Sequence, residues 1–216
     1  MNVRSMSVRT ICTALFCTIG LGLLGACHNS DSGSQDAGST KKVSASPLHA
    51  AAERNDDATI TQLTSSGTDA NTQLKNGRTA LHIAAAGGQM RAATALLNAG
   101  ANPGISDNNG ETPLMMAAAR GNAGMVQAML AKRPPLDAQN KSGKTALHFA
   151  VEHNSTDTVR ALVQAGANTG LSDKKGRTPM DYATSKGNQA IIDALNSKVG
   201  STMTRTSTPP RTMPAR

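Results

Sequence analysis

Three histidines recur in register along the chain. His49, His82 and His148 are separated by 33 and then 66 residues. Imidazoles at a fixed interval could form a column of metal ligands. Zinc, however, needs several ligands converging on one point, and one imidazole per interval does not supply them. The same register also carries Met115 and Asp181, which fits a structural role better. Catalytic groups are sparse. There is no Gly-x-Ser-x-Gly, no phosphate loop and no His-Glu-x-x-His. Glu152 and His153 are adjacent, so they do not share a helix face. The sequence reads as a non-enzyme that needs no metal and no cofactor. Met115, Met116, Met125 and Met129 lie close together, and soft gap filling in a small core accounts for them.

The elements that carry these residues follow from one interval. Thr79, Thr112, Thr145 and Thr178 stand 33 residues apart, and Ser46 stands one interval earlier. A strict period of this length marks stacked units rather than one globular core. Ser and Thr cap helix N-termini through the hydroxyl, and Pro47, Pro113 and Pro179 suit the first helical position. A pair of mostly small residues follows in each unit, from Ala51-Ala52 to Ala183-Thr184. Nine residues past the cap comes Asn55, Gly88, Gly121, Asn154 or Gly187. These types accept a left-handed backbone, so a helix ends there. A second helix is predicted from apolar residues at helical spacing: Leu96 and Leu97, then Met125, Val126, Met129 and Leu130, then Val159, Leu162 and Val163, then Ile191, Ile192 and Leu195. Gly67, Gly100 and Gly166 stop it, and Gly77, Gly110, Gly143 and Gly176 mark hairpin-like turns.

Turn, Thr-Pro-Leu-His-like helix start, small pair, glycine, second helix and Gly-Ala-Asn (Gly100-Ala101-Asn102, Gly166-Ala167-Asn168) together resemble the ankyrin repeat. The resemblance runs from Ser46 to Ser197. It implies an all-α solenoid of stacked helix-turn-helix units joined by β-hairpin-like turns, with the in-phase histidines orienting the turns by hydrogen bonding. Five units are expected, at about 46–73, 74–106, 107–139, 140–172 and 173–197. The third departs from its siblings, because Lys132-Arg133-Pro134-Pro135 replaces Gly-Ala-Asn. The first and last units are more polar, as terminal repeats facing water should be.

The ends read differently. Arg4 and Arg9 precede an apolar stretch from Ile11 to Leu24, shorter than the roughly 18 apolar residues a membrane helix needs. Residues 1–26 are expected to be a signal peptide. Leu24-Gly25-Ala26-Cys27 resembles the lipobox of bacterial lipoproteins, which implies acylation of Cys27 and a membrane anchor. Secretion without an anchor is the alternative. His28 rather than Asp after the cysteine resembles an outer-membrane sorting signal, facing the periplasm. Cys12 and Cys17 would leave with the signal, and so would Arg4 and Arg9, taking the net charge from +8 to +6. Residues 27–45 and 198–216 are poor in apolar side chains and are expected to be a flexible tether and a disordered basic tail.

Function must then lie in the surface of the stack. By the ankyrin resemblance, the turn tips and the exposed ends of the first helices form a recognition face. The tip residues are Lys75, Asn76, Arg78, Asn108, Asn109, Glu111, Lys141, Lys144, Lys174, Lys175 and Arg177. Ala86, Gly87, Ala119, Arg120, Glu152, His153, Ser185 and Lys186 are the helix positions. The tips make a discontinuous basic ridge. Solvated charge explains any single lysine, while the ridge as a whole points to another protein with an acidic surface. Anionic lipid head groups are a second acidic surface within reach of an anchored domain. Nucleic acid is not indicated, because no aromatics interleave the cations. A monomer is expected. The resemblance to exported ankyrin proteins implies either an immunity-type inhibitor of a toxic effector or an accessory factor for a stress enzyme such as a catalase.

Overall fold

The computed structural model describes residues 46–203, with side chains to Ser197. The expected signal peptide, acylated Cys27, tether and most of the expected tail lie outside the described residues. Ten helices alternate within it: α1 (Pro47–Glu53), α2 (Asp57–Ser65), α3 (Ala80–Gly87), α4 (Met90–Asn98), α5 (Pro113–Arg120), α6 (Ala123–Leu130), α7 (Ala146–Glu152), α8 (Thr156–Ala165), α9 (Pro179–Lys186) and α10 (Gln189–Met203). The odd-numbered helices pack on one another in chain order, and so do the even-numbered ones. Two helical layers result, joined by turns. Among the described residues the only β pairing outside helices is one antiparallel bridge, Gln73 to Thr79. The fold is therefore the all-α repeat solenoid that the interval predicts.

The start of each odd helix follows the threonine. Thr112 Oγ1 accepts the Met115 N–H at 3.3 Å and Thr178 Oγ1 the Asp181 N–H at 3.3 Å. Ser46 makes no such side-chain cap, although α1 still opens behind it at Pro47. The expected left-handed residues are left-handed: φ is 58° at Asn55, 75° at Gly88, 68° at Gly121, 60° at Asn154 and 67° at Gly187. At the second helix ends the same holds for Gly67, Gly100 and Gly166. In the third unit Arg133 takes the left-handed place itself, with φ 53°. The chain thus keeps its register there by placing a non-glycine in a region that costs of order 1 kcal/mol or more, with two prolines fixing the loop beyond it.

Alanine, leucine and methionine build one continuous core. Leu48, Leu81, Leu114 and Leu147 are at most 1% exposed, and the small pairs Ala51-Ala52, Ala84-Ala85, Ala117-Ala118 and Ala150-Val151 are fully buried. Ala183 is buried but Thr184 is exposed, consistent with a terminal unit facing water. Met115, Met125 and Met129 are buried in the third unit. One boundary shifts: α10 continues past Ser197 to Met203, where a disordered tail was expected from residue 198.

Candidate recognition face

Each turn is organised by one position in phase: Leu74, Asp107, Asn140, Asp173. Its N–H donates to the carbonyl four residues on, at 2.8–3.0 Å in all four turns. Where the residue is Asp or Asn, the side chain adds two bonds. Asp107 Oδ1 accepts from Asn109 and Glu111 N–H (2.8 and 3.0 Å), Asn140 Oδ1 from Ser142 and Lys144 (2.9 and 3.0 Å), and Asp173 Oδ1 from Lys175 and Arg177 (both 2.9 Å). The tips then bond to one another. Asn108 N–H donates to Asn76 O (3.0 Å), Lys141 to Asn109 O (2.9 Å) and Lys174 to Ser142 O (3.0 Å). Only glycine fits at the turn of this ladder: Gly143 has φ 78°, and a Cβ there would lie 2.8 Å from Lys174 N.

The histidines tie helix to turn. His82 Nδ1 accepts the Thr79 N–H at 3.0 Å, so Nε2 must carry the proton it gives to Glu111 O at 3.0 Å. His148 repeats this with Thr145 N–H (3.1 Å) and Arg177 O (3.2 Å). His49 reaches Arg78 O at 3.2 Å, while its Nδ1 has no protein partner. Burial pushes all three below the ordinary histidine value. Both nitrogens of His82 and His148 are thus committed to holding the tips. In the fifth unit Asp181 takes over the Thr178 N–H at 2.7 Å, and in the third Met115 brings no such polar atom.

The predicted basic residues fall into two groups. Arg78 pairs with Asp107 (3.2 Å), Arg177 with Asp173 (3.3 Å) and Lys144 with Glu152 (2.7 Å). Burial pushes the Asp107 and Asp173 carboxyls up, but their backbone N–H bonds and arginine partners outweigh it and hold both below the usual carboxylate range. Burial alone would lower the Lys144 ammonium, and Glu152 reverses that. Lys144 Nζ also lies 5.7 Å from the Phe149 ring and 5.4 Å from the Tyr182 ring, and Arg177 stacks on Tyr182 at 4.2 Å. Tyr182 OH donates to Asp173 Oδ2 at 2.7 Å. Lys144, Arg78 and Arg177 therefore brace the tips internally and are not free charge. Lys75, Arg120, Lys141, Lys174, Lys175 and Lys186 are exposed, with no ion pair among the described residues.

Six predicted residues, Ala86 and Ala119 among them, converge on one cleft. Arg78, Glu111, Arg120 and His153 line it together with Ala86, Met116 and Ala119, around a volume of about 400 Å³. Arg120 is aimed by its Nε bond to Ala86 O at 2.6 Å. Asn76, Asn108 and Asn109 instead serve the turn ladder, with Asn108 Nδ2 donating to Lys75 O at 3.0 Å. A wider cleft of about 700 Å³ lies between α2 and α4, away from every predicted residue. Its threonines direct their hydroxyls into their own helices, Thr61 to Asp57 O, Thr64 to Ile60 O and Thr94 to Met90 O. Arg91 and Asp57 pair across it. With its threonine hydroxyls bonded to their own helices and Arg91 paired, it offers less to a partner than the cleft beneath the tips.

Sequence reasoning missed the turn organisers Asp107, Asn140 and Asp173, although an Asp or Asn three residues before a turn glycine, in phase, was a readable signal. It did not show that Met116 and Tyr182, buried in the core, and the partly buried Phe149 also line or border the face.

Comparison with known proteins agrees with the architecture. The family model described as ankyrin repeats (3 copies) matches residues 48–139 and again 115–206. A search of curated proteins found no match. Because these matches cover well over half of the sequence, the chain belongs to the ankyrin-repeat family, whose members are typically non-enzymatic modules for binding other proteins.

Proposed function

We propose that this is an exported protein, anchored through a lipid on Cys27 and facing the periplasm, that binds another protein through its turn tips and the cleft beneath them. The observation that carries the binding face is the convergence of Arg78, Glu111, Arg120 and His153 around Met116. A preformed concavity with a few converging polar groups is the form in which small anchor side chains are received. The Leu24-Gly25-Ala26-Cys27 run and the His28 that follows support the anchor and its outer-membrane side. No helix among the described residues is long and apolar enough to cross a membrane.

The role we assign is that of an inhibitor bound to a toxic effector, since such a protein acts by covering a surface and a rigid hydrogen-bonded face is all that it requires. Co-expression with the product of the adjacent gene tests this, with rescue of growth as the expected outcome. Peroxide sensitivity on deletion, without rescue, would assign the accessory role instead. The face itself is tested by cross-linking. With Cys27→Ser the exported chain has no thiol, so a photo-cross-linker can be placed on Ser142→Cys at a tip or on Thr94→Cys on the outer layer. Capture of the partner from the tip alone is expected, and capture from Thr94→Cys alone would move the face to the other side of the stack.

A further inference from the structure

The paired and unpaired charges have different places, and the difference specifies the partner. Beneath the tips, Arg78, Lys144 and Arg177 are neutralised by Asp107, Glu152 and Asp173. These three charges are balanced, and the cleft among them has an apolar floor rimmed by Arg120 and Glu111. Ile83, Met116 and Phe149 hold the same place on α3, α5 and α7, one interval apart, and Ala86 and Ala119 adjoin Met116 in the cleft. At the tips the free lysines are concentrated in the fourth and fifth units, as Lys141, Lys174 and Lys175. The third tip breaks the row with Asn108, Asn109 and Glu111. Glu111 and Arg120 border the cleft with opposite charges and Arg78 is paired, so neither sign of charge is favoured there, and the floor of Met116, Ala86 and Ala119 favours an apolar side chain.

Resting on the binding face proposed above, we infer that the partner is a protein segment with an apolar anchor side chain followed by carboxylates. The anchor enters the cleft over Met116, and the carboxylates lie along Lys141, Lys174 and Lys175. The spacing follows from the stack. Neighbouring packed helices are separated by about 8–10 Å, and an extended chain advances about 3.3 Å per residue. The fourth and fifth tips are one and two units on from the cleft, so the carboxylates belong about three and about six residues from the anchor. A polyanion without an anchor meets only the lysines.

The test uses the full chain carrying Cys27→Ser and fluorescein-labelled 12-residue peptides, read by fluorescence anisotropy. One peptide has Leu as anchor and Glu three, four, six and seven residues on, and a second has the same residues in reversed order. Saturable binding of one of them is expected. Replacing its Leu by Gln should weaken binding about tenfold, which is the scale of burying one leucine. Lys141→Glu with Lys174→Glu should weaken it by at least a similar factor, and 0.5 M salt should weaken it further. Binding that ignores the Leu→Gln change and is matched by poly-glutamate or phosphatidylglycerol vesicles would overturn the anchor. Failure of both peptides would overturn the assigned chemistry. The cross-link from Ser142→Cys is independent of the peptide and separates that failure from failure of the face itself. Because the anchor is altered on the peptide, the result does not depend on a folding-sensitive variant at Met116.

Discussion

At the scale of single residues, identical side-chain types divide into braces and free charge. Lys141 and Lys144 are three positions apart and read alike in sequence, yet Lys144 sits between Glu152 and two rings while Lys141 is exposed. Lys144→Ala should therefore lower stability by about 1 kcal/mol in a urea titration, and Lys141→Ala should leave it within about 0.5 kcal/mol. The histidines make a pH prediction. Burial lowers their folded value, so the folded state favours the neutral form of His49, His82 and His148. Their contribution is fully present above the unfolded value near 6.5 and is lost progressively as pH falls from there through the lower folded value. The urea midpoint should drop between pH 7.5 and 5.5, and His148→Asn should flatten that drop. A midpoint indifferent to pH over this range would mean that the histidines do not hold the tips. None of this partition was legible in the sequence, because pairing depends on which acidic residue the stack brings alongside. Asp107 meets Arg78 from 29 positions away.

At the scale of the element, the turn and the helix pair make separate demands. The turn requires glycine. Gly143→Ala would put a Cβ against the next tip and force an alanine to φ 78°, and should cost about 2 kcal/mol or more. The loss should be accompanied by weaker amide-exchange protection at Lys174, whose N–H closes the ladder. The helix pair requires its shared leucine. Leu147 is 1% exposed in the joint between units, and Leu147→Ala should cost roughly 2–5 kcal/mol; a loss below about 1 kcal/mol would mean that the joint is not packed as described. These elements were the legible part. Caps, left-handed residues and apolar spacing are local, so the interval located the start of every odd-numbered helix and the left-handed ends of those helices. Arg133 was less legible: the missing glycine was visible, but that the arginine itself adopts φ 53° follows from the register imposed by the units on either side. The helix to Met203 escaped notice for the opposite reason, since residues 198–203 carry little apolar signal of their own.

At the scale of the molecule, a stack of like units presents its variable positions on a common face. The cleft over Met116 and the tip lysines are products of that geometry: Arg78, Glu111, Arg120 and His153 come from three successive units and meet only because the units are in register. Which positions vary was readable from the interval. That Arg78, Glu111, Arg120 and His153 converge while Arg78, Lys144 and Arg177 are neutralised was not, because it is set by packing between units. The claim on which the account rests is that the free tip lysines and the cleft form one binding surface. It is tested most directly by titrating the captured partner with the Cys27→Ser chain and with the same chain carrying Lys141→Glu, Lys174→Glu and Lys175→Glu. The account predicts at least about a tenfold loss of affinity, steeper at low salt, with the urea midpoint unchanged, since none of the three lysines is ion-paired. Equal affinity of the two proteins at low salt would contradict it.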